Sequence, residues 1–119
     1  MKVVLLGGNP KGHDIPFHPS TLSGKRLRTM LSELNFSHVE LADMTENQND
    51  IPTESELANL MKKYGDYKVV FLGRFVEKEL RAIFPDGVYL PHPASRRKGD
   101  LERLRNGLES IFKHSSRRL

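Results

Sequence analysis

The chain has 119 residues, a formal net charge of +4 at pH 7 and no cysteine. That length buries one core and not two, so one domain with one site is expected. Without cysteine neither a disulfide framework nor a thiolate metal site can be built, and the basic balance is compatible with a polyanionic partner whose phosphates Lys and Arg would neutralise.

In chain order, the first apolar run is Lys2 to Leu6. It ends in Gly7-Gly8, far short of a signal-peptide core or of the roughly 20 residues of a membrane span, so a cytoplasmic protein with no membrane association is expected. A long irregular stretch, Gly7 to Ser20, leads into a helix near Thr21 to Leu34, where Leu27, Met30, Leu31 and Leu34 recur at helical spacing and bury one face. Val39 to Ala42 reads as a second strand, followed by a second irregular stretch, Asp43 to Pro52. Thr53-Glu54-Ser55-Glu56 is a capping box that opens a second helix, with Leu57, Leu60 and Met61 on its core side and Gly65 as its stop. Lys68 to Leu72 is the third strand, and a short helix from about Arg74 to Phe84 ends at Pro85-Asp86-Gly87. After a fourth strand, Val88 to Leu90, a last helix carries Leu101, Leu104, Leu108, Ile111 and Phe112, with fraying expected beyond Lys113.

Strands followed by helices at intervals of about 20 to 35 residues are successive βα units, and a mostly parallel sheet follows from them. Ligands of such sheets bind beyond the carboxyl ends of the strands, where the strand order reverses. Those ends are Gly7 to His13, Asp43 to Glu46, Gly73 to Phe75 and Pro91 to Lys98. Gly7, Gly8 and Gly12 would let a ligand approach the backbone, and the N–H groups of residues 10–13 could cradle a phosphate, or the segment is an ordinary tight turn.

Two of these ends carry a resemblance. GGNPKGH after the first strand and PHPASRRKGDL after the fourth resemble the two signature motifs of the uracil-DNA glycosylase superfamily, and most of all its mismatch-specific uracil and thymine branch. Pro16-Phe17-His18-Pro19, Ala42-Asp43-Met44-Thr45 and Leu72-Gly73-Arg74 follow in the same order, so the resemblance spans most of the chain. It implies a three-layer α/β/α domain over residues 1–113, with a four-stranded, mostly parallel sheet in the order 2-1-3-4 and a basic tail at 114–119.

The activity implied is base-excision repair of DNA. A nucleotide is flipped from the helix and its N-glycosidic bond hydrolysed, with the departing base anion stabilised by the protein. On this likeness His92 would hydrogen-bond the base anion and Asn9 would orient water. Asn9 stands where the fastest relatives carry Asp, and a neutral amide is no general base, so slow turnover is expected. Gly8, Phe17 and Asp43 would bind the base, Phe17 by stacking, although a Phe in a long loop can equally be core. Lys11, Ser95, Arg96, Arg97 and Lys98 would engage DNA, the last three in the loop where the family inserts a wedge residue. Asp43 stands where the family often has Asn. A carboxylate there accepts from uracil N3–H yet repels O4, and would suit a base with an added amino or hydroxymethyl donor. The chain is read as a shortened form of the family.

No cofactor is implied. His13, His18 and His92 show no ligand spacing that would point to a metal, and no Ser/His/Asp arrangement is recognisable. Two other readings stand beside the glycosylase: a catalytically weak or inactive protein of the same fold that binds nucleic acid or a protein, and an enzyme for free nucleotides or nucleosides.

Overall fold

A computed structural model of the chain describes residues 2–8, 12–45 and 51–116, with residues 115 and 116 described by backbone alone. Strand and helix alternate as β1 (Val3–Gly7), α1 (Leu22–Glu33), β2 (Val39–Asp43), α2 (Glu54–Tyr64), β3 (Lys68–Leu72), α3 (Arg74–Leu80), β4 (Val88–Leu90) and α4 (Asp100–Ser116). Every strand pair is parallel and the order is β2-β1-β3-β4, the order expected from the sequence.

Successive side chains of a strand point to opposite faces, and the core divides accordingly. Val3, Leu5, Val70, Leu72 and Leu90 pack with Leu27 and Leu31 of α1 and Leu104 and Leu108 of α4. Val4, Leu6, Ala42, Val69 and Phe71 pack with Leu60 and Tyr64 of α2 and with Val76 and Leu80 of α3. One helix pair therefore covers each face, which gives three layers. The two central strands are apolar at nearly every position because both of their faces are covered.

The helix ends follow local chemistry. Thr21 caps α1 by accepting from the Gly24 N–H, and Thr53 and Glu56 form the reciprocal capping box of α2. Three expectations are corrected. Met61 is exposed, because the buried face of α2 is centred on Leu60 and Tyr64, and the Tyr64 hydroxyl donates to the Glu40 carboxylate on β2. Helix α3 stops at Leu80: the N–H groups of Ile83 and Phe84 both turn back to the Leu80 carbonyl, and Pro85 disfavours helical backbone before it. At the other end of the chain α4 runs on to Ser116, past the expected fraying point at Lys113. No helix among the described residues is long and apolar enough to cross a membrane.

Candidate functional site

The connection from β1 runs by α1 outward to β2, and the chain then crosses back beneath the sheet to β3, so the strand order reverses between β1 and β3. The connections leaving the paired strands β1 and β3 turn to opposite faces of the sheet there, and a cavity of about 530 Å³ opens, within the usual size range of small-ligand pockets. Its wall brings together Gly8 after β1, Phe17 in the loop to α1, Asp43 at the end of β2 and His92 after β4.

Phe17 is buried in the core and also lines the cavity, so its packing role does not remove it from the site. Its backbone is left-handed, with φ 50°, a conformation that costs a residue with a Cβ about 1–2 kcal/mol. The Arg28 guanidinium offsets this by donating to the carbonyls of Phe17, at 2.7 Å from Nε, and of Pro16, at 3.0 Å. Gly7 completes the seat: a Cβ there would lie 2.6 Å from the tip of the Phe17 ring. Gly24 fastens the other side, since a Cβ there would run into the carbonyl oxygens of Phe17 and His18. A Cβ at Gly8, in contrast, would meet none of the described residues, so its small size leaves room on the cavity wall.

His92 stands close to the end of β3, where a Cβ on Gly73 would lie 3.3 Å from its own Cβ, and Gly73 holds φ 102° as it turns into α3. The Ala94 N–H donates to His92 Nδ1 at 3.0 Å. An accepting Nδ1 carries no proton, which places the proton of the neutral ring on Nε2 and makes that nitrogen a donor.

Asp43 pairs with Gly7 across the β1–β2 ladder and closes the site on the side of the edge strand. Burial pushes its carboxyl up to about 6, because the charged form loses water there. The side chain also lines a neighbouring cavity of about 620 Å³, which His13, Glu40, Glu56 and Lys63 help to wall. His13 and His18 stack with ring centres 4.3 Å apart. Among the described residues no group of three or more His, Asp or Glu side chains could hold a metal ion.

Ser95, Arg96, Arg97 and Lys98 follow directly on Ala94, which lines the cavity. The Ser95 hydroxyl is already engaged, donating to Asp100 at 2.7 Å and accepting from the Arg97 N–H at 3.2 Å, so it shapes the turn into α4 and holds the Asp100 carboxyl below the usual range. Arg26 of α1 donates to the carbonyls of Pro93 and Ser95 and anchors the same loop. Arg96, Arg97 and Lys98 are exposed and enter no salt bridge among the described residues, whereas Arg74, Arg81, Arg103 and Arg105 each hold a carboxylate. Asn9 and Lys11, the remaining candidates, lie outside the described residues.

Leu22 and Ser23 lie outside the strand ends singled out from the sequence, and Arg74 and Phe75 lie within one of them without an assigned role. Leu22, at the start of α1, and Phe75, in the first turn of α3, line the cavity while staying about half exposed, and Ser23 and Arg74 stand beside them. The Arg74 guanidinium lies 3.7 Å above the Tyr89 ring. Only the position of Arg74 and Phe75 at a strand end signals them; Leu22 and Ser23 carry no signal beyond the helix start.

Compared with protein-family models, with curated proteins and with solved structures, the chain matches none.

Proposed function

We propose that the protein is a DNA base glycosylase that hydrolyses the N-glycosidic bond of uracil or a modified pyrimidine after the nucleotide has been flipped out, acting in the cytoplasm. The observation that carries this reading is the convergence of Phe17, Asp43 and His92 on one cavity, large enough to admit a base, at the strand-order reversal. A flat apolar ring, a group able to read a base edge and a neutral imidazole donor are the parts that this reaction asks for. As the C1′–N bond breaks, its electron pair goes to the base, and His92 Nε2–H donates to the developing anion. Water, oriented by Asn9, then adds to the oxocarbenium sugar and gives up a proton, which balances the one the base anion takes up as it leaves. Arg96, Arg97 and Lys98 hold phosphates beside the mouth.

The test is strand scission by alkali after incubation with oligonucleotides carrying U, G·U, G·T or 5-hydroxymethyluracil, in single and double strands. Scission is expected with at least one of these bases, and His92→Ala should slow it by about 100- to 1,000-fold, the usual loss on removing one preorganised donor. An undiminished rate in that variant would remove His92 from the chemistry. A binding module on the same fold is the second reading, favoured by the three exposed cations that form no salt bridge among the described residues. Salt-sensitive retention of DNA without scission of any base would select it.

A further inference from the structure

Asp43 is placed unlike the other part-buried carboxylates around it. Glu40 accepts from the Tyr64 hydroxyl and faces Lys63, Glu56 accepts from the Thr53 N–H, Glu77 is held by Arg74 and Arg81, and Asp100 by Ser95 and Arg103. The part-buried Asp43 side chain has no hydrogen bond or ion pair with any described residue. On the side of the candidate site it shares a wall with His18, Arg74 and His92. On its other side it shares one with His13, Asp14, Glu40, Glu56, Lys63 and Tyr64. None of these groups moves its titration, which is set by loss of water alone.

A carboxyl so placed is complementary to a ligand and to nothing else in the described chain. Its two charge states match different edges. The pyrimidine-dione edge of uracil offers one N–H donor beside a carbonyl acceptor. A carboxylate satisfies the donor and repels the carbonyl, whereas a carboxylic acid satisfies both, its C=O accepting from N3–H while its O–H donates to O4. A buried carboxylic acid kept neutral so that it can donate is an established device of enzyme sites.

We propose that Asp43 reads the base as a neutral carboxylic acid, so that a uracil-type base is held in mildly acidic solution and rejected once Asp43 is ionised. This rests on the base-binding reading of the cavity and adds the protonation state in which it works. Because the group is lifted to about 6, the switch falls where small changes of pH move it.

The experiment measures binding of a fluorescent single-stranded oligonucleotide carrying one 2′-fluoro-2′-deoxyuridine, which resists hydrolysis, against the same strand with an abasic analogue. The affinity ratio is followed from pH 5 to 8 at constant ionic strength. For the wild type it should fall by up to tenfold per unit above about pH 6, the limit for one linked proton. In Asp43→Asn, whose amide both donates and accepts at every pH, it should stay level and exceed the wild-type ratio at pH 7.5. A wild-type ratio that is the same at pH 5.5 and 7.5, or a variant that keeps the wild-type fall, overturns the proposal. The glycosylase reading is judged separately by scission at pH 5.5: pH-dependent retention without scission removes the reaction and keeps the role of Asp43, and scission with a level ratio does the reverse.

Discussion

Three side chains at the cavity wall illustrate what single residues contribute. His92 has its tautomer fixed by one backbone N–H, Phe17 has its backbone held in a costly conformation by Arg28, and Asp43 is left with its water half removed. The last arrangement has a consequence for stability. The ordinary value of the Asp43 carboxyl is 3.8 and its folded value about 6, so between these the folded chain keeps a proton that the unfolded chain has released. The contribution of the residue is therefore fully present below about pH 4 and is lost as pH rises through about 6. Asp43→Asn should raise the melting temperature at pH 7 relative to wild type, and this advantage should shrink toward pH 4; equal shifts at both values in thermal unfolding would contradict it. These three residues were legible in the sequence because each directly follows a strand or stands in the loop that opens from one. The charge state of Asp43 was not, since it depends on which neighbours the fold withholds. Ser95 was legible as a loop residue, but its hydroxyl serves the turn into α4.

At the level of elements, the strands were readable because covered parallel strands are continuous apolar runs, and the helices because their caps are spelled locally. Thr53 of α2 shows how much such a cap is worth. Its hydroxyl accepts from the Glu56 N–H at 3.1 Å while the Glu56 carboxylate accepts from the Thr53 N–H at 3.0 Å. Thr53→Ala should cost about 1 kcal/mol in urea unfolding, within the usual 0.5–2 for a lost cap, and leave base binding unchanged. What the local pattern could not give is the rotation of a helix about its axis. Met61 follows Leu60 and so points about 100° away from it, and the choice between Met61 and Tyr64 for the buried face was settled by Glu40 on a different element. The same ignorance hid Leu22 and Phe75. Both belong to first turns whose outward face turns toward the cavity only once α1 and α3 are docked on opposite sides of the sheet.

Across the whole molecule, the order β2-β1-β3-β4 puts the divergence of the loops that follow β1 and β3 beneath the cavity and sets the loop of Arg96, Arg97 and Lys98 next to its wall. The net charge of +4 is thus less informative than the distribution of its cations. Several arginines are occupied by carboxylates on their own or neighbouring helices, and the loop cations form no salt bridge among the described residues. If that loop grips phosphates, replacing all three by Ala should lower the slope of log affinity for DNA against log salt by about 2 to 3, at roughly 0.7 to 0.9 per phosphate contact; an unchanged slope would place the nucleic-acid surface elsewhere. The corner at Phe17 has a further consequence. Arg28 and Gly24 tie it to α1 before any ligand arrives, so the aromatic wall is not a flap that must fold onto its guest. A ligand that enters meets a surface whose conformational entropy was already given up when the chain folded, and its own ordering is the principal loss still to be met on that side of the complex.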